Sequence, residues 1–93
     1  MTTKPNTTKK VTAVLGPTAR ILTLADLPDP NTRRWVPRRK AEVVHAVRGN
    51  LLTKDEAMKR YNITNDEYSE WESHYKDHGL PGLRVTRVQE YRS

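Results

Sequence analysis

A chain of 93 residues with 34% hydrophobic residues and no Phe can hold one small domain but not two, and with so little apolar surface roughly half to two-thirds of it is expected to be ordered. It contains no Cys, which excludes disulfides and thiolate metal sites and favours a reducing cytoplasm, and neither a signal peptide nor an apolar run of about 18 residues, which excludes a membrane span. A net charge of +6 favours a polyanionic partner, nucleic acid first, over a charge that only keeps the protein in solution.

Residues 1–10 hold no apolar side chain after Met1 and are expected to form a flexible tail. Two short apolar runs follow, Val11–Leu15 and Ile21–Leu24, on either side of Gly16-Pro17-Thr18-Ala19. That pattern predicts a small β-hairpin, which needs the support of other elements to persist. Pro28 and Pro30 mark an extended linker up to residue 32.

A helical module is predicted over residues 33–79. Pro37 suits the first turn of a helix, where its missing N–H costs nothing. Val43, Val44 and Val47 recur at helical spacing, and Gly49 or Asn50 can supply the left-handed residue that ends the helix. Thr53 and Glu56 have the spacing of a capping box, in which each side chain satisfies a free backbone N–H of the first turn. The second helix is expected over about residues 54–61, stopped by a left-handed Asn62. Thr64 and Glu67 form a second box. The third helix then runs to about His78 and stops at Gly79, with Tyr68, Trp71 and Tyr75 on its buried face. Residues 80–93 form a basic tail, either extended or with a short helix.

Two capped helices joined by a three- to four-residue turn need a small side chain where they approach, an apolar plug after the turn and a large anchor. Ala57, Ile63 and Trp71 fill these places. The expectation is therefore a mainly α fold, a three-helix helix-turn-helix module of the Trp-repressor-like type, with a small N-terminal β-hairpin and a flexible N-terminus. A three-helix bundle without DNA contact packs in the same way, because a fold does not by itself establish a function.

The segment "EAMKRYNIT" followed by "W…HY…HGLPGL" resembles the helix-turn-helix modules of many transposases and of Trp-repressor-like domains. Over about residues 11–92, the "LGPTARILTLADLP" stretch, the Arg-rich arm "RRWVPRRK", both capping boxes and the "HGLPGLR" exit occur in one order. Together they resemble the alphaproteobacterial SciP-like family, which includes the small inhibitor of the response regulator CtrA. The resemblance implies a DNA-associated transcriptional repressor, in the cytoplasm at the nucleoid, that also binds a response-regulator transcription factor.

Charge is unevenly placed. Residues 33–60 carry nine Lys and Arg against three carboxylates, whereas residues 61–79 carry five carboxylates against Lys76. In a helix-turn-helix the third helix is expected in the major groove, yet here it is acidic, and phosphate contact requires Lys and Arg. Phosphate contacts are therefore assigned to Arg33, Arg34, Arg38, Arg39, Lys40, Lys54, Lys59 and Arg60, with Arg84, Arg87 and Arg92 as further candidates. Asn65, Ser69 and Ser73 on the outward side of the third helix are the candidate base contacts. Asp66 and Glu67 suit the helix dipole, and Glu72 can pair with Lys76. Glu70 and Asp77 have no such local reason and are assigned to a basic protein partner, such as the DNA-binding domain of a transcription factor.

Trp35 lies among the arginines. It can stack on a base or pack against the helices, and packing is the stronger reading. His74 and His78 are four apart but lack a metal-site frame, and surface histidines are the better reading. No phosphate-binding loop and no nucleophile–base–acid set can be assembled. No enzymatic activity, cofactor, metal or small-molecule substrate is expected.

Overall fold

The computed structural model describes residues 11–85. Strands β1 (Val14–Leu15) and β2 (Ile21–Leu22) come first, followed by a 3-10 turn (Leu24–Asp26). Helices α1 (Pro37–Arg48), α2 (Lys54–Tyr61) and α3 (Asn65–His78) follow, and a 3-10 segment (Leu80–Val85) closes the order. The expected tail at residues 1–10 lies outside the described residues, as do Arg87 and Arg92. The fold is mainly helical, with a two-stranded antiparallel hairpin near its N-terminus.

The helix boundaries follow from local chemistry. Pro37 occupies the first turn of α1, and Asn50 takes a left-handed conformation (φ +69°) just past its end. Leu51 N and Leu52 N then both donate to Ala46 O, at 2.8 and 3.2 Å. Both capping boxes are formed. Glu56 N donates to Thr53 Oγ1 at 3.1 Å while Thr53 N donates to Glu56 Oε1 at 2.9 Å, and Thr64 and Glu67 repeat the same distances. Asn62 (φ +54°) lets α2 turn into α3 within three residues.

The core is centred on Trp35. Its ring is wholly buried, edge-on to Tyr61 at 5.1 Å between centroids and tilted against Trp71 at 5.0 Å. Ala41, Val43, Val44 and Ala46 of α1, Ala57 of α2, Ile63 of the turn and Tyr68 of α3 surround this cluster. Replacing a buried Trp of this kind by Ala typically costs about 3–5 kcal/mol, a large share of what a domain of this size possesses. Tyr75, expected on the buried face, is only partly covered.

Segments outside the three helices share this core. The tyrosine hydroxyl of Tyr61 donates to Pro28 O at 2.8 Å and so ties down the linker, where Leu27 is also buried. In the hairpin, Val14 pairs with Leu22 and Leu15 with Ile21. Val14 and Leu22 face the helices. His45 Nδ1 donates to Leu15 O at 2.9 Å, and its Nε2 meets the Tyr75 hydroxyl at 2.8 Å, so one imidazole joins hairpin, α1 and α3. Residues 80–85 fold back on α1 and α3 and bury Leu83 completely. A Cβ at Gly82 would come within 2.6 Å of His74 O, which makes glycine the residue that permits this return. Changes of composition at residues 32 and 79 thus do not mark boundaries of packing.

Gly49 is the corresponding contact for the hairpin, because a Cβ there would collide with the Val14 side chain. Gly49→Ala is expected to lift the hairpin while the helices persist. Amide exchange would then accelerate at residues 14–22 with far-UV ellipticity retained; unchanged hairpin protection would show that Gly49 is not the point of attachment.

Candidate nucleic-acid interface

The arm before α1 and the first turn of α1 present Arg33, Arg34, Arg38 and Arg39, all exposed. Complete burial of Trp35 fixes the arm, and Arg39 Nη1 donates to Arg34 O at 3.0 Å across the arm–helix junction. The first turn of α1 contains no acidic residue, unlike the first turns of α2 and α3. Its positive dipole end therefore adds to the arginine field. Arg38 also makes an i, i+4 ion pair with Glu42 at 3.7 Å. Burial pushes the Glu42 carboxyl above its ordinary range, against the opposing pull of Arg38 and Arg39.

Two further arginines adjoin this cluster. Arg84 of the C-terminal 3-10 segment lines a shallow apolar groove with Val36, Pro37, Arg38, Leu80 and Pro81. Arg20, at the tip of the hairpin, shares a polar concavity with Arg38 and Glu42. Nothing in its sequence neighbourhood singles out Arg20, since only the folded hairpin brings it beside α1.

Lys40 departs from its expected role. It is 0% exposed, its ammonium donates to Leu83 O at 2.9 Å, and it lies 5.9 Å from the centroid of Trp71. It closes the C-terminal segment onto α1 and is not presented to a phosphate. The pattern carried a signal of this, because Lys40 stands four residues before Val44 and seven before Val47, on the stripe of α1 that faces inward.

The other assigned cations differ in availability. Lys54 and Lys59 are exposed, with Lys54 Nζ 5.8 Å from the Tyr68 ring centroid. Arg60 is half-buried. It donates through Nε to the Tyr61 hydroxyl at 3.2 Å and lies over that ring, so much of it supports the linker contact.

On α3, Asn65, Ser69 and Ser73 are exposed at successive i, i+4 positions. Arg48, from the end of α1, shares a concavity with Ser69, Glu72, Ser73, Lys76 and Asp77. Glu72 pairs with Arg48 at 3.7 Å, across helices, instead of with Lys76 along its own helix, because the end of α1 passes beside the middle of α3. Glu70 also has a local partner, His74 Nε2 at 3.8 Å, an ion pair when the imidazole is protonated. The third helix is thus less acidic at its surface than its composition indicates, and Asp77 remains exposed. Among the described residues no helix is long and apolar enough to cross a membrane.

The family model described as "Protein of unknown function (DUF1153)" matches residues 6–92. The chain is also similar to a protein of Rhodobacter sphaeroides whose structure was solved in solution by NMR. The two are 42% identical over 91% of this chain and 90% of the other, with a TM-score of 0.70. No curated protein matches the chain significantly.

Burial of Lys40 separates it from its exposed neighbours by experiment. Lys40→Ala is expected to lower unfolding free energy by about 1.5–3 kcal/mol, since it removes a buried hydrogen bond from a charged donor. Arg39→Ala should change stability by less than about 0.5 kcal/mol. Urea denaturation of the two variants checks the contrast, and equal, small effects would contradict the placement of Lys40.

Proposed function

The chain belongs to the DUF1153 family, and from the surface described above we propose that it is a small, non-enzymatic transcriptional repressor that binds duplex DNA. The observation that carries this reading is the cluster of Arg33, Arg34, Arg38 and Arg39 around the start of α1, held by the buried Trp35. Several arginines fixed on one rigid support suit phosphate oxygens, which they can grip through paired N–H donors. Arg20 and Arg84 extend the field on either side. In this reading α2, the turn at Asn62 and α3 work as a helix-turn-helix, with Asn65, Ser69 and Ser73 turned to base edges. Lys54 and Lys59 add phosphate contacts. Arg48 adds a guanidinium beside Lys76 on this face, since α3 itself carries no Arg. The protein acts at the nucleoid in the cytoplasm.

A second partner is favoured by the exposed carboxylate of Asp77 and by Glu70 two turns before it on α3, together with the resemblance to the SciP-like family. This acidic part of α3 meets the basic DNA-binding domain of a response-regulator transcription factor. Protein–protein inhibition of that factor is the alternative to direct DNA contact, and because Asp77 shares its concavity with Ser69 and Ser73, the two readings compete for one part of α3.

Binding of a short duplex, followed by fluorescence anisotropy, should weaken steeply with salt. With about four phosphate contacts the log–log slope is about −3 to −4. Arg38→Ala with Arg39→Ala should reduce affinity and flatten the slope by about 2. Glu42→Gln, which frees Arg38 of its partner, should strengthen binding. Affinity and slope unchanged in the double variant would reject the arginine surface. The protein partner is checked separately: Glu70→Lys with Asp77→Lys is expected to abolish binding to the response-regulator domain while the fold persists, and unaltered affinity would reject that face.

A further inference from the structure

The concavity between the end of α1 and α3 holds charges of both signs. Arg48, Lys76, Glu72 and Asp77 line it together with the hydroxyls of Ser69 and Ser73. A phosphate offers only acceptors and negative charge, so carboxylates beside the cations make this a poor phosphate seat. The start of α1 differs, since its first turn contains no acidic residue. The edge of a base pair in the major groove presents donors and acceptors side by side, and a mixed surface is its complement.

Arg48 is the member of this group that is tied across helices. Its Nε makes an ion pair with Glu72 Oε2 at 3.7 Å, with both side chains partly exposed. The pair engages one edge of the guanidinium and leaves the end that carries both Nη groups for a ligand. That end matches guanine, whose O6 and N7 are two adjacent acceptors. Ser69 and Ser73 are too short for such a fork, Lys76 offers a point charge, and α3 contains no Arg. We propose that Arg48 reads a guanine in the major groove and that Glu72 positions it, so that the preferred duplex carries a G·C pair opposite the middle of α3. The inference rests on the DNA reading above and adds to it the residue that selects sequence. That residue comes from α1, and its pairing with Glu72 carries it onto the face of α3.

Selection by the full chain from duplexes randomised at their centre tests it, followed by anisotropy on the enriched duplex and its single-pair variants. The wild type should bind the enriched duplex about 5- to 150-fold more tightly than a variant with one particular G·C pair replaced by A·T. Arg48→Ala should bind those two duplexes alike, keep its preferences elsewhere and change the salt slope by less than about 1. Its circular dichroism should match the wild type, because Arg48 is exposed. Glu72→Gln should narrow the preference at the same pair and at no other. Uniform weakening by Arg48→Ala across all duplexes, with a slope flatter by about 1, would make Arg48 a phosphate contact and overturn the proposal. So would preferences unchanged in Arg48→Ala, and a preference unaltered by Glu72→Gln would overturn the part given to Glu72. A wild-type chain that binds duplexes through Arg38 and Arg39 with no G·C preference defeats this inference alone. One that binds no duplex defeats the DNA reading with it.

Discussion

Burial of the Trp35 indole between Tyr61 and Trp71 is the contact around which the helices and the arm are arranged. The chain has no Phe, so its two Trp with Tyr61 and Tyr68 supply the large side chains of the core. Trp35 does not belong to a helix. It comes from the arm that precedes α1 and enters between Tyr61 of α2 and Trp71 of α3. That one insertion joins the three helices and fixes the arm to the surface. Its neighbours Arg33 and Arg34 are consequently exposed at a defined place, beside Arg38 and Arg39. The residue that completes the core also positions the cations.

The same centre organises the polar interactions. Lys40 lies beside Trp71 and ends on Leu83 O, which draws the C-terminal segment over the helices. A buried ammonium is tolerated only with such partners. Elsewhere most acids have local work. Glu56 and Glu67 close capping boxes, Glu72 meets Arg48, Glu70 meets His74 and Glu42 meets Arg38. Among the described residues, exposed arginines gather in the arm, at the start of α1, at the hairpin tip and at Arg84.

The hairpin shows how small the margin is in a domain of this size. Two residue pairs cannot sustain a sheet in water, and the pair persists through Gly49, His45 and the burial of Leu22. Its outer side remains apolar.

The local punctuation of the helices is legible in the residues alone. Pro37, Asn50, Asn62 and the pairs Thr53–Glu56 and Thr64–Glu67 stand where the helices start and stop, because each acts through bonds spanning only a few residues. The same reasoning made Trp71 and Ile63 core residues, since helical periodicity is also a short-range property. Which charges reach the surface depends on contacts between distant parts of the chain. Lys40 has the sequence context of a surface cation, yet its acceptor is Leu83 O, 43 residues away. Glu72 exchanged its expected neighbour Lys76 for Arg48 of another helix. Arg20 and Arg84 joined the basic cluster because the hairpin and the last segment pack against the start of α1. A cap is decided within one turn of helix, but the availability of a charge is decided by whatever the fold brings next to it, and that partner can lie anywhere along the chain.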